Sequence, residues 1–62
     1  MQIDSKKAEQ VRVKRAKLQL NKKQLASKLG ISARTLTKIE AGDYKAPKRV
    51  YQSVIDWLLE DI

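Results

Sequence analysis

Apolar residues recur along this chain at three- and four-residue spacings, and the few glycines and the proline fall between the periodic segments. That arrangement predicts four helices. The first runs roughly from Ser5 to Leu18, with Ala8, Val11 and Leu18 on one stripe and Lys6, Lys7, Arg12 and Lys14 largely off it. The second opens at Asn21, a side chain suited to cap a helix start. It carries Leu25, Ala26 and Leu29 inward before Gly30, where a left-handed residue can close it. After Ile31, Ser32 caps a third helix that turns Leu36 and Ile39 inward and stops at Gly42. A loop through Asp43 to Ala46 leads to Pro47, which lacks an N–H and so suits a helix start, and the fourth helix runs to the end of the chain. No segment alternates as a half-buried strand does and no internal repeat is visible, so the expected fold class is all-α.

Sixty-two residues make one small domain, residues 1–62, with room for a single core. Cys and His are both absent. Disulfide frameworks, zinc sites and His-dependent nucleophile pairs or triads are thereby excluded, and neither a catalytic residue, a metal nor a cofactor is expected. The opening residues lead into no apolar run, and the longest such run anywhere is Trp57 to Leu59, so a signal peptide and a membrane span are not expected and a cytoplasmic protein is.

Charge changes the picture further. The net charge is +7, with all 14 Lys and Arg residues lying between Lys6 and Arg49 against four carboxylates, Asp4, Glu9, Glu40 and Asp43. From Val50 onward there are three carboxylates and no cation. A basic body with an acidic, apolar tail points to a polyanionic partner for the body and a different one for the tail. A membrane surface would call for one long amphipathic basic helix, but the basic segments are short and broken by Gly30 and Gly42. Single-stranded RNA is disfavoured because Tyr44, Tyr51 and Trp57 all fall at or after the end of the third helix and form no stacking platform.

Two short helices joined by a tight glycine turn form the geometry that seats one helix in a DNA major groove. With Leu36 as the inward direction and about 100° per residue, Arg34, Lys38 and Ala41 lie about 140–200° away from it. The third helix thus presents two long cations outward among the small residues Ala33, Thr37 and Ala41, and Arg or Lys can bond the major-groove edge of guanine. An ordinary αα-hairpin would share the apolar spacing but has no need of this face. Lys22, Lys23, Lys45, Lys48 and Arg49 cluster at the start of the second helix and across the loop into the fourth. Arg15 shares the stripe of Val11 and Leu18 while Glu40 sits on the inward side of the third helix, so the two opposite charges should meet as a structural salt bridge.

The stretch LQLNKKQLASKLGISARTLTKIEAG, Leu18 to Gly42, resembles the helix-turn-helix of phage Cro and repressor proteins, the lambda-repressor-like or XRE family, and the likeness extends from about Val11 to Leu59. The resemblance implies a compact four-helix domain in which helices two and three form the DNA-binding unit. Carried over position by position, it implies base contacts from Ala33, Arg34, Thr37 and Lys38 and phosphate contacts from Asn21, Lys22, Ser32, Lys45 and Lys48. It also implies a salt bridge between Arg15 and Glu40. Where relatives carry glutamine at the first base-reading position this chain has Ala33, so their adenine contact does not carry over and a thymine methyl contact fits better.

The expectation is a sequence-specific regulator of transcription that binds double-stranded DNA, most simply a repressor of phage, prophage or plasmid origin acting by occlusion, with no domain for a small-molecule ligand. A DNA-binding antitoxin and a basic interaction or adaptor protein are the alternatives. On the fourth helix Val50, Val54 and Trp57 or Leu58 suffice to cover the core. Tyr51, Ile55, Leu59 and Ile62 are left as a second apolar stripe with no intramolecular partner, the expected seam of a homodimer on a palindromic operator. The motif IDWLL resembles the start of a further helix in relatives, so their dimer contacts do not carry over.

Overall fold

Each helix start in the computed structural model, which describes residues 1–60, is closed by a short polar side chain at the residue before it, except the last. Helix α1 (Ser5–Lys17) begins where the Asp4 carboxylate accepts the N–H of Lys7 at 2.9 Å. It ends with Lys14, Arg15 and Lys17 in its last turn, cations beside the negative end of the helix dipole. The chain leaves it through Gln19, a non-glycine residue at φ 58°.

Helix α2 (Lys22–Leu29) starts in a reciprocal capping box. Asn21 Oδ1 accepts the Gln24 N–H at 2.7 Å, and Gln24 Oε1 accepts the Asn21 N–H at 2.9 Å. At its other end the Gly30 N–H donates to the Ser27 carbonyl and the Ile31 N–H to the Ala26 carbonyl, the paired bonds of a left-handed helix stop. Gly30 has φ 73°, and a Cβ there would meet nothing within 4 Å; the backbone conformation, not lack of room, calls for glycine. Helix α3 (Ala33–Ala41) follows at once, capped by Ser32.

After Gly42 and Asp43, both at positive φ, the chain forms a two-residue strand β2 (Tyr44–Lys45) antiparallel to β1 (Gln2–Ile3), with Gln2 opposite Lys45 and Ile3 opposite Tyr44. This corrects the expectation that no strand would form, within a fold that remains all-α: two residues are too few to show any alternation. The pairing fixes the loop against the start of α1 so closely that a Cβ on Gly42 would stand 3.2 Å from the Ser5 Cα. It also delivers Ile3, fully buried, into the core.

Helix α4 (Lys48–Leu59) has Pro47 at its cap position, just outside the helix and without a capping bond, and it stops at Leu59 instead of running to the chain end. Val50, Val54 and Trp57 are its buried face. They join Ile3, Val11, Leu25, Leu36 and Ile39 in one core to which all four helices contribute. Tyr51 is half-buried and packs on that core along with Leu58, which corrects its assignment to a stripe without intramolecular partners: in so small a domain the covering face of α4 is wider than three residues. Ile55 is half-buried, Leu59 is 77% exposed, and Ile62 lies outside the described residues.

Candidate nucleic-acid interface

Helix α3 has two chemically distinct sides because Leu36, Ile39 and Glu40 are drawn into the interior and leave Ala33, Arg34, Thr37, Lys38 and Ala41 on the solvent side. Among the described residues neither Arg34 nor Lys38 takes part in an ion pair or a side-chain hydrogen bond, so both cations are free to reach outward. The intervening side chains are a methyl group or a threonine, and no bulk holds the helix away from a surface laid against it. Thr37 Oγ1 donates back to the Ala33 carbonyl at 3.0 Å, which spends its hydrogen and leaves an acceptor and a methyl group facing out.

The helix start is organised by Thr35, a residue the sequence pattern does not single out. Thr35 gives its N–H to Ser32 Oγ at 3.1 Å and receives the Ser32 hydroxyl at Oγ1, 3.0 Å away. Ser32 is therefore already engaged on both its donor and an acceptor side, and a phosphate there would have to compete with Thr35 for the hydroxyl hydrogen. The signal in the sequence is a Ser followed three residues later by a second hydroxyl.

Lys22 and Lys23 are exposed at the head of α2, where their backbone N–H groups have no intrahelical acceptor and the positive end of the helix dipole adds to the two ammonium charges. The side-chain oxygen of Asn21 is committed to the capping box, leaving its amide NH2 as the group that can reach outward. Lys45 and Lys48 are exposed beyond the other end of α3, one on β2 and one on the first turn of α4. The β1–β2 pairing and a 2.6 Å hydrogen bond from Gln2 Nε2 to Asp43 Oδ1 hold the loop that carries Lys45.

Helix α1 sets the position of α3 from behind. Arg15 Nε stands 2.7 Å from Glu40 Oε2 and Nη2 3.1 Å from Oε1, while Nη1 donates to the Leu20 carbonyl at 3.1 Å. One guanidinium thus joins α1, α3 and the turn before α2. The Glu40 side chain is 5% exposed and that of Arg15 22%, so the carboxylate depends on this two-pronged partner more than the cation does. Arg12 donates to the backbone carbonyl of Glu40 in the last turn of α3. Lys14 reaches the Trp57 and Glu60 carbonyls at the end of α4, with its Nζ 4.9 Å from the centre of the Trp57 ring. The apolar pattern puts both residues largely off the buried stripe of the first helix, where solvent would be their only partner. About 100° and 60° from Val11 they instead flank that stripe, and from there a long side chain reaches a neighbouring helix end.

Among the described residues no group of three or more His, Cys, Asp or Glu is placed to hold a metal ion, and no helix is long and apolar enough to cross a membrane. A family model described as helix-turn-helix matches residues 11–51, from the middle of α1 into α4, and so takes in α2, α3 and both lysine clusters. No match to a curated protein or to a solved structure was found.

Proposed function

The chain belongs to the helix-turn-helix family of lambda-repressor-like DNA-binding regulators, and from that premise we propose that it reads a specific double-stranded sequence by laying α3 in the major groove. The observation that carries this reading is the outer face of α3, two cations without a partner among the described residues, set among small side chains. Arg34 and Lys38 contact guanine O6 and N7. Ala33 meets a thymine methyl, and Thr37 accepts from an exocyclic amine or packs its methyl on a base. Lys22, Asn21, Lys45 and Lys48 grip phosphates on the two sides of the groove, with Ser32 beside a phosphate at the head of α3, and these contacts set register without reading sequence. Two copies on a palindrome place two α3 helices about one DNA turn apart, and occupancy represses transcription by excluding the polymerase.

Selection of bound sequences from a random DNA pool tests the proposal. It should enrich palindromes with guanine in each half-site, and binding measured across a salt series should then divide the residues in two. Arg34→Ala and Lys38→Ala each lower the preference for selected over scrambled DNA by about 10- to 100-fold. Lys22→Ala and Lys48→Ala weaken both DNAs alike and reduce the salt dependence by about 0.9 in log–log slope for each phosphate no longer neutralised. A pool that enriches no sequence, or equal loss of preference from all four variants, overturns it.

A further inference from the structure

Helix α1 keeps one face that none of the described residues covers. Glu9, Val13 and Lys17 follow one another at four-residue steps along it, so their side chains form a single ridge with the valine in the middle and an opposite charge about 6 Å to either side. Glu9 and Lys17 are exposed, and among the described residues neither belongs to an ion pair; Val13 is 47% exposed, one of the few large apolar side chains left in water. Beside the ridge runs a groove of about 590 Å³ between α1 and the end of α4, with Leu18 and Leu58 in its lining and Leu59, 77% exposed, on its far wall.

We propose that this ridge is where a second copy of the chain docks, α1 against α1 in antiparallel register about a two-fold axis through Val13. The charges select both the partner and its direction. Antiparallel pairing about Val13 sets Glu9 against Lys17 of the partner subunit and Lys17 against Glu9 of the partner subunit, and it brings the two valines together. A parallel pair would oppose like charges at both ends. A contact in which the same patch serves both subunits is what two-fold symmetry requires. This seam rests on the dimeric reading of the function above, and it replaces the broad stripe on α4 by the α1 ridge with Leu59 at its edge.

Sedimentation equilibrium without DNA tests it. The wild type should self-associate with a Kd of about 10–100 µM, as befits a small interface with a polar rim. Glu9→Lys and Lys17→Glu should each weaken association about tenfold or more. The first raises the net charge and the second lowers it, so a shared loss cannot come from net charge. The double variant, with the charges exchanged and the net charge unchanged, should return to within about threefold of the wild type. A wild type that stays monomeric at about 500 µM, single variants that associate as the wild type does, or a double variant as weak as the singles each overturn the proposal. Thermal melts establish that the variants are folded. Binding to a half-site by single copies, measured in parallel, tells failure of this seam from failure of the DNA-binding reading.

Discussion

Helices α1 and α3 carry the same kinds of cation and use them in opposite ways. Arg12, Lys14 and Arg15 of α1 are turned to the molecule itself: they donate to the Glu40 carbonyl, to the Trp57 and Glu60 carbonyls, and to the Glu40 carboxylate with the Leu20 carbonyl. Arg34 and Lys38 of α3 touch no such acceptor among the described residues. The difference lies in what each helix passes. Helix α1 runs by the C-terminal ends of α3 and α4, where the carbonyls keep acceptor capacity to spare and the helix dipole is negative, and a long cation within reach binds them. The outer side of α3 passes no helix end. Counting basic residues therefore overstates what is available to a polyanion, and the available charge is found by removing the cations that a helix-end carbonyl or a buried carboxylate already holds.

The sharpest way to break this contrast is to remove one cation from each side. Arg15→Ala strips the two-pronged partner from a nearly buried carboxylate, and we expect a loss of about 3 kcal/mol, seen as a fall in Tm of more than about 12 °C. Arg34→Ala should stay within about 0.5 kcal/mol of the wild type. Arg15→Met combined with Glu40→Leu, which removes both charges, should recover much of the lost stability, because the cost lies in the stranded carboxylate. Urea and thermal denaturation followed by circular dichroism measure all three. Similar melts for Arg15→Ala and Arg34→Ala would end the distinction between held and free cations.

How far the sequence carries toward this structure follows the same division between local and distant partners. Asn21, Gly30 and Ser32 mark helix ends because capping chemistry acts within three or four residues, and the structure uses all three as caps. The solvent face of α3 is likewise legible, since Leu36 fixes the inward direction and the angular step does the rest. The pairing of Gln2–Ile3 with Tyr44–Lys45 is not, because its ladder joins segments some 40 residues apart through main-chain hydrogen bonds that no local side-chain pattern marks. Nor are the roles of Arg12 and Lys14: a helical wheel places them beside the buried stripe but says nothing of which helix end lies opposite. At the candidate interface the side chains are legible and their prior engagements are not, as with the Ser32 and Thr37 hydroxyls, each bonded within its own helix start.

Lys14 offers a second, smaller test of a held cation. Its two carbonyl bonds are partly exposed to solvent and its contact with Trp57 lies at the edge of the core, so Lys14→Ala should cost about 1 kcal/mol. The emission of Trp57, the single tryptophan, should shift when the ammonium leaves its ring, while the preference among DNA sequences stays as it was. A loss of DNA affinity as large as that from Lys22→Ala, with an unchanged melt, would move Lys14 from the held cations to the free ones.

The smallest expected effect is an absence of one, and it bears on both groups of cations together. Every positively charged side chain named on either side is Lys or Arg, and the chain contains no His, the side chain whose ordinary titration falls near neutrality. Affinity for DNA should accordingly be steep in salt and flat in pH. With three lysines gripping phosphates in each of two subunits, raising salt from about 50 to about 200 mM should cost about 10³-fold in affinity. Moving from about pH 6 to about pH 8 at fixed ionic strength should change it less than about threefold. Titrating the wild type on a selected operator gives both slopes from one set of samples. A pH effect above about tenfold would place a titrating carboxylate or amine among the groups that meet the DNA, and α3 and its flanking lysines would then no longer account for binding alone.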